Sequence, residues 1–240
     1  MTKKLDKFTL DAEEGSINSR EVLGIIGQNA TGKTTFVKML AGIIKPDNGK
    51  VEMKLKMSYK PQYLEIEEDT IVSLILAKAI QKYGHILVRQ LELEPLLLKK
   101  LSELSGGELQ RVAIALCLSQ DADLYLLDEP SAYLDVEQRL HASKVINEII
   151  EEKGDAAAIV VDHDLLFIDY LSQRLLVFEG EPSVKGYAGK PLSMEEGMNK
   201  LLTELNITLR RDEETKRPRI NKEGSVKDRE QKKTGKLYYT

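Results

Sequence analysis

The chain of 240 residues carries a net charge of −4, from 35 Lys and Arg against 39 Asp and Glu, and 42% of it is hydrophobic. These values are typical of a soluble globular protein of one domain, with or without an appendage, that buries a sizeable core. A membrane span and a secretory signal are not expected, because no stretch approaches roughly 18 consecutive apolar residues and the start MTKKLDKFTL has no apolar run behind it.

The only cysteine, Cys117, lies in the apolar helical pattern RVAIALCLS, where we expect a small buried core residue. A lone thiol excludes disulfides, zinc ribbons and iron–sulfur ligation within this chain. It also suits a reducing cytoplasm.

Short apolar runs alternate with helical stretches, which is the pattern of an α/β protein with a mainly parallel sheet. The predicted elements are, in order, a buried strand over 22–27 (VLGIIG), a helix (TTFVKMLAGII) that ends near Gly42 and Pro46, a half-exposed strand over 50–59 (KVEMKLKMSY), and buried strands over 124–128 (LYLLD), 157–162 (AAIVVD) and 174–180 (RLLVFEG). Between them, the helical pattern of residues 63–104 predicts a small helical lobe, about 63–112, inserted into the α/β core.

Beyond Ile207 the regular patterning fades. Residues 210–236 carry eleven Lys and Arg against six Asp and Glu, a balance of +5 on a body of −9. Such a segment is too polar to form a core of its own. We therefore divide the chain into a domain over 1–208 and a basic hinge or tail over 209–240.

The strongest motif, GQNATGKT over 27–34, satisfies G-x-x-x-x-G-K-[ST] between a buried strand and a helix. Its glycines let successive backbone N–H groups point inward at phosphates, and the helix adds its positive N-terminal end. Lys33 can reach the β- and γ-phosphates of ATP, and the Thr34 hydroxyl can ligate Mg²⁺. The predicted ATP-binding residues of this loop are Gly27, Gln28, Asn29, Ala30, Thr31, Gly32, Lys33, Thr34 and Thr35.

The strand LYLLDE ends in two acids with different predicted roles. Asp128 would hold Mg²⁺ beside the phosphate loop. Glu129 would orient or deprotonate the attacking water. Taken alone, a strand that ends in solvated acids would fit equally well.

Shortly before that strand, LSGGELQ over 104–110 matches the signature motif of the ABC ATPase family, which the chain resembles. Physically, the segment is a helix N-terminus with bare N–H groups, a second anion site. The resemblance implies a P-loop ABC-type fold in which this site contacts ATP held by an opposite domain. The residues concerned are Ser105, Gly106, Gly107 and Glu108.

Further elements of the ABC pattern follow in the family's order. Gln62 in SYKPQ resembles the Q-loop glutamine, which serves the metal and the water. His163 resembles the switch histidine at the γ-phosphate, and Ser131 to Asp135 resembles the D-loop at the dimer interface. Phe8 resembles the aromatic residue that stacks on adenine, although a core phenylalanine would fit there nearly as well.

Finer matches resemble the ribosome-recycling branch of the family in archaea and eukaryotes, also called the RNase L inhibitor or E subfamily. They are DEPSAYLDVEQRL, with its extended D-loop region, and residues 197–235. The chain matches that branch's C-terminal nucleotide-binding domain and lacks its cysteine-rich iron–sulfur domain and first ATPase domain. The implied partners are a second ABC domain, the small ribosomal subunit and release or recycling factors, with no membrane partner and in the cytoplasm.

The expected function is Mg²⁺-dependent ATP hydrolysis on closure with a second ABC domain, acting in ribosome recycling. Two alternatives stay open: the ATPase subunit of a membrane transporter, and a nucleotide-binding module with little turnover when isolated. For the tail we favour a hinge seat over a ribosomal RNA contact or a solvated linker. RRDEETKRPRINKEG is then expected to cross the acidic body as an ordered strap with little regular secondary structure, through charged contacts of Arg217, Arg219 and Lys222 and the packing of Pro218 and Ile220.

Overall fold

A computed structural model describes residues 1–50, 55–62, 69–212 and 218–238 of the chain. Part of the strand expected over 50–59, the start of the helical lobe and Arg217 lie outside the described residues. The strands are β1 (Thr2–Leu5), β2 (Phe8–Ala12), β3 (Val22–Gly27), β4 (Met57–Lys60), β5 (Leu124–Asp128), β6 (Ala157–Val161), β7 (Arg174–Glu181), β8 (Lys185–Ala188), β9 (Leu192–Ser193), β10 (Leu209–Arg211) and β11 (Pro218–Ile220).

The helices are α1 (Lys33–Leu40), α2 (Val72–Ile75), α3 (Ala77–Tyr83), α4 (Gly106–Ser119), α5 (Val136–Lys153), α6 (Leu165–Leu171), α7 (Met194–Leu205) and α8 (Val226–Thr234). A π-helical turn (Gly84–Val88) and two 3₁₀ turns (Glu94–Leu96 and Leu101–Glu103) complete the lobe that α2 and α3 begin. Across the described parts of the chain, no helix combines the length and apolar character needed to cross a bilayer.

A nine-stranded sheet organises the fold in the order β1-β2-β8-β7-β3-β6-β5-β4, with β9 paired to β7. Its centre is parallel, since β3 pairs with β6 and β7, and β5 pairs with β4 and β6. The predicted α/β fold with a mainly parallel core is confirmed. Strand directions are mixed towards the β1 edge, because β1 runs antiparallel to β2 and β8 runs antiparallel to β7. These short polar strands show no clear hydrophobic pattern in the sequence.

The sheet separates two apolar layers, and the alternation along β3 shows how. Leu23 and Ile25 face the layer that contains helix α1, whereas Val22 and Ile26 face the larger layer. Cys117 is buried in this larger layer, as predicted, and its Sγ lies 3.3 Å from the Ser58 hydroxyl. Because both faces of β3 are covered, the strand reads as a continuous apolar run.

The C-terminal segment corrects the expectation of an irregular strap. β10 and β11 form an antiparallel hairpin, and α8 follows. Leu209, Leu237 and Tyr238 are buried in the larger apolar layer, so packing into the core orders this segment. The reason is that a few apolar residues, far apart in a mostly polar segment, meet in one place.

The charged contacts of the C-terminal segment also differ from those expected of the strap. Arg219 pairs with Asp212 of the same segment at 3.2 Å, and Ile220 is 61% exposed. Pro218 is buried, as expected. The ion pair that reaches the body belongs instead to Arg211, whose guanidinium lies 3.8 Å from the buried Asp169. Within the described residues, Lys222 makes no ion pair.

Candidate functional site

The site lies at the carboxyl ends of the parallel strands β3, β5 and β6, where α/β sheets place their ligands. A cavity of about 600 Å³ opens there. Its lining residues come from six separate segments of the chain: Phe8, Asn29, Ala30, Gly32, Lys33, Thr34, Thr35, Gln62, Glu129, His163 and Ser183. The fold therefore brings together the phosphate loop, the Q-loop glutamine, the acid after β5 and the histidine after β6.

Glycines shape the loop between β3 and α1 as the motif requires. Gly27 has φ of 144°, and a Cβ there would lie 2.3 Å from the Phe178 carbonyl oxygen. Gly32 has φ of 94° and precedes α1, whose first N–H groups are therefore free for a ligand. Gln28 turns away to donate to Glu204, at 2.6 Å, and Thr31 is buried. These residues shape the loop without lining the cavity.

Lys33, the first residue of α1 after this loop, is buried. Its Nζ donates to the carbonyl oxygens of Gly27 and Gln28, at 2.8 and 2.6 Å. Burial lowers its pKa to about 8, although Glu129 and Asp128 act in the opposite direction. The ammonium thus contacts two backbone carbonyl oxygens of the loop. A bound anion would replace them as its partners.

Asp128 is fully buried at the end of β5, and its Oδ1 lies 3.4 Å from the Thr34 hydroxyl. Its Oδ2 is buried and has no hydrogen-bond partner within the described residues. Burial raises the pKa of this carboxyl. An orphaned carboxylate oxygen beside a hydroxyl is a hard-oxygen donor set, so Asp128 and Thr34 fit Mg²⁺, with Gln62 on the same cavity wall.

Glu129 and His163 face each other across the cavity. The His163 Nε2 lies 3.0 Å from the Glu129 Oε1. Glu129 has φ of 48°, a left-handed conformation that non-glycine residues seldom adopt and that functional sites often retain. Its backbone N–H donates to the Val161 carbonyl at 2.8 Å, and its own carbonyl accepts from Gln110 Nε2 at 2.6 Å. These bonds direct the carboxylate into the cavity.

The D-loop has one buried end and one exposed end. Ser131 donates to Asp162 through its backbone N–H and its hydroxyl, at 3.0 and 2.7 Å, which ties the loop to the segment before His163. Asp135 caps helix α5 by accepting from the Gln138 N–H at 2.8 Å. Between them, Tyr133 is 70% exposed with φ of 62°. The loop therefore presents an aromatic ring to solvent.

Phe8 lies at the edge of the cavity and packs closely on two glycines. A Cβ on Gly32 or Gly186 would lie within 3.0 Å of the Phe8 ring. The ring is half-buried, so one part of it supports the loop and another faces the cavity. Both roles considered for Phe8 are thus compatible with its position.

The signature segment lies apart from this cavity. Ser105 caps helix α4 by accepting from the Glu108 N–H at 3.3 Å, while Glu108 accepts from the Ser105 N–H at 2.7 Å. A hydrogen bond from Lys99, followed by those from Ser105, lowers the pKa of Glu108 to about 2. Gly106 and Gly107 pack beside Tyr133. The helix N-terminus is exposed and lies outside the lining of the cavity.

Two residues at the site escaped the sequence analysis. Lys60, at the end of β4, is fully buried, and its Nζ donates to the carbonyls of Pro61 and Asp128, both at 3.0 Å. Ser58 and Lys60 are the buried residues of β4, but a lysine in so short a strand predicts exposure, so the sequence carries no signal for it. Ser183, in the turn between β7 and β8, lines the cavity and donates its N–H to Ala30 at 2.9 Å. No local pattern points to Ser183.

The glycine loop before α1, the acid-ended β5 and the parallel sheet together define a P-loop nucleotide-binding domain. A family model described as "ABC transporter" matches residues 10–132. ABC transporter E family member 3 of Arabidopsis thaliana is 41% identical over 169 residues, which are 93% of that relative and 65% of this chain. The chain belongs to the ABC family of ATP-binding domains, as the signature motif predicted, and to its E branch, as the extended D-loop region and residues 197–235 predicted.

Longer relatives match the whole chain. An uncharacterized ABC transporter ATP-binding protein of Methanocaldococcus jannaschii is 54% identical and translation initiation factor RLI1 of Saccharomyces cerevisiae is 42% identical, each over 100% of this chain. The chain spans 41% and 40% of their lengths. It therefore corresponds to about two fifths of each of these longer relatives.

Solved structures agree. The chain aligns over its full length, with a TM-score of 0.95 and 52% identity, with 47% of a chain in a complex of archaeal ribosomal stalk protein aP1 and the archaeal ribosome recycling factor aABCE1. It aligns similarly, at 0.94 and 52%, with 41% of a chain in a model of ribosome-bound archaeal Pelota and ABCE1. ABC transporter structures align at 20% identity and show the fold alone.

Proposed function

We propose that this domain binds MgATP at the cavity and hydrolyses it when a second ABC domain closes over the site. The observation that carries the proposal is the convergence of Lys33, Thr34, Glu129 and His163 on one cavity. A cation, a hydroxyl, a carboxylate and an imidazole around a glycine loop are what phosphoryl transfer to water requires.

Each side chain has a distinct part in this mechanism. Lys33 and the loop N–H groups bind the β- and γ-phosphates and offset their charge. Glu129 orients the attacking water and accepts its proton, while His163, 3.0 Å from it, holds the carboxylate and contacts the γ-phosphate. Asp128, Thr34 and Gln62 would hold Mg²⁺, which supplies positive charge at the phosphate oxygens.

Pairing with a second domain follows from the exposed signature helix. Its N-terminus, with Ser105, Gly106, Gly107 and Glu108, is exposed and favours an anion. We infer that it contacts the γ-phosphate of ATP held by the partner domain, and that the D-loop, with Ser131 and Asp135, lies at the same interface. ATP then joins two domains, and hydrolysis releases them.

The process we propose is ribosome recycling in the cytoplasm, with the small ribosomal subunit and release or recycling factors as partners. Relatives and structures that match the full chain at 42% and 52% identity are named as translation and ribosome recycling factors. The domain division at 208 and the hinge role of residues 209–240 remain proposals within this assignment. Co-purification of this chain with ribosomal subunits rather than with a membrane protein would distinguish a recycling factor from a transporter subunit.

Substitution of Glu129 tests the chemistry. Glu129→Gln keeps size and hydrogen bonding but removes the base, so ATP should still bind while turnover falls by about 10²-fold or more. ATP binding by calorimetry and phosphate release are measured on the same sample. The matched control is Glu151→Gln on the exposed side of α5, which should leave both unchanged. Turnover near that of the unsubstituted chain would remove Glu129 as the base.

A further inference from the structure

Lys60 places a charged group where lysines are seldom found, between two neighbouring strands and out of contact with solvent. It ends β4, opposite Leu127 of the parallel strand β5. Its side chain is fully buried, whereas most of the 35 Lys and Arg of this chain lie at the surface. A buried ammonium is retained only where hydrogen bonds and opposite charges compensate its lost hydration.

The compensation comes from the catalytic region itself. The Lys60 Nζ donates to the Asp128 carbonyl and to the Pro61 carbonyl, both at 3.0 Å. The carboxylates of Asp128, Asp162 and Glu129 interact favourably with its charge. Lys60 does not line the cavity, so it is not placed to touch phosphate.

One of these two bonds holds the peptide group between Asp128 and Glu129. That peptide must take an unusual orientation, because Glu129 has φ of 48°. The Glu129 N–H is held by Val161 and its carbonyl by Gln110. Lys60 holds the carbonyl of the same peptide, so removing its ammonium would remove one of the three hydrogen bonds that fix the Glu129 backbone and the direction of its carboxylate.

The other bond holds the backbone of Pro61, which directly precedes Gln62 on the cavity wall. A single ammonium therefore joins the segment that carries the glutamine to the segment that carries the base. Gln62 follows β4 and Glu129 follows β5. The distance between their side chains therefore depends on how these two strands end. Lys60 connects the backbone at the ends of these two strands.

We infer that Lys60 is a positioning residue for hydrolysis, which fixes Glu129 and Gln62 relative to each other around the attacking water. The inference rests on the proposed function and deepens it. Lys60 acts through the backbone of two segments, and ATP binding by the phosphate loop is independent of it.

The first test is kinetic. Lys60→Met keeps the length and apolar stem but removes the donor, so kcat should fall by about 10- to 100-fold while KM for MgATP changes by less than about threefold. The matched control is Lys56→Met, just before the same strand, whose ammonium pairs with Asp121 at the surface. That control should behave like the unsubstituted chain. Turnover of Lys60→Met equal to the control would overturn the inference.

A double-mutant cycle separates positioning from general damage. If Lys60 acts through Glu129, Lys60→Met should lower turnover of the Glu129→Gln chain by less than about threefold, because the base it positions is already absent. Equal losses in both backgrounds would contradict this. If Lys60→Met fails to fold, Lys60→Gln, which keeps one donor group, is measured in its place, and an intermediate kcat is expected.

A structural measurement keeps the outcome independent of turnover. In a crystal structure of Lys60→Met, Glu129 should leave the left-handed region and its carboxylate should move out of hydrogen-bonding distance of His163, now 3.0 Å away. An unchanged Glu129 would reject the positioning role whether or not the chain hydrolyses ATP. Absence of hydrolysis by both the unsubstituted chain and Lys56→Met would instead reject the proposed function.

Discussion

Two buried lysines lie on either side of the acidic pair at the end of β5, and burial lowers the pKa of each to about 8. Their surroundings differ in one respect that separates their roles. Lys33 faces the cavity and donates to carbonyls of the phosphate loop, which a phosphate can replace. Lys60 faces inward and donates to carbonyls that no ligand reaches. One lysine is therefore suited to binding and the other to holding the backbone.

At this scale we predict that Lys33→Ala weakens ATP binding by an order of magnitude or more, since it removes the cation that bridges the β- and γ-phosphates. Isothermal titration calorimetry measures the change. Lys45→Ala, an exposed lysine beyond α1, is the control and should bind ATP normally. Equal affinities of the two variants would argue against the cavity as the nucleotide site.

At the scale of elements, the hairpin of β10 and β11 shows how a polar segment joins the core. Leu209 and Ile220 are register partners, yet Leu209 is buried and Ile220 is exposed. Side-chain hydrogen bonds also hold this segment in place. Gln231 of α8 donates to the Leu209 carbonyl at 2.8 Å. Asn199 of α7 accepts from the N–H groups of Leu237 and Tyr238 at 2.8 and 2.9 Å. The segment is thus fastened from both ends.

From this we predict unequal effects of truncating the two register partners. Leu209→Ala should lower the free energy of unfolding by about 2–5 kcal/mol, the usual cost of emptying a core leucine site. Ile220→Ala should change it by about 0.5 kcal/mol or less, as at other exposed positions. Urea unfolding of both variants decides the matter. Equal midpoints would mean that residues 209–238 are an appendage rather than part of the core.

At the scale of the whole molecule, the proposed function divides each hydrolysis site between two chains. The cavity holds the groups for phosphate and water, and the exposed N-terminus of α4 holds a second set of N–H groups away from it. A helix N-terminus of this kind favours an anion. In the proposed face-to-face pair, each half would meet the complementary half of a partner, so activity would be a property of the pair.

Mixing two inactive variants tests this arrangement. Ser105→Arg blocks the signature half and Glu129→Gln disables the catalytic half, so each alone should hydrolyse ATP slowly. Together they can form one intact composite site, and part of the turnover should return. Ser193→Arg is the control for loss of a helix cap, since Ser193 caps α7 with the same arrangement, accepting from the Glu196 N–H at 3.2 Å. Full activity of Ser105→Arg alone would contradict pairing through this helix.

The sequence by itself determined the parts of this protein whose geometry is local. The phosphate loop from Gly27 to Thr34 is one strand, one turn and one helix start, so its spacing specifies its shape. The cap of α4 follows equally from Ser105 and Glu108, three residues apart. Buried strands such as β5 and β6 were visible because both faces are apolar and every residue adds to the signal.

Only the tertiary structure decided the rest, because the burial of a side chain depends on what packs over it. β10 and β11 have three residues each and no alternation to detect, and α8 is almost wholly polar. Their order comes from Leu209, Leu237 and Tyr238 meeting α7 and the main core. Lys60 shows the same limit at the site: a lysine in a short strand predicts exposure, and only the closure of β5 beside it makes that ammonium a buried contact of the catalytic backbone.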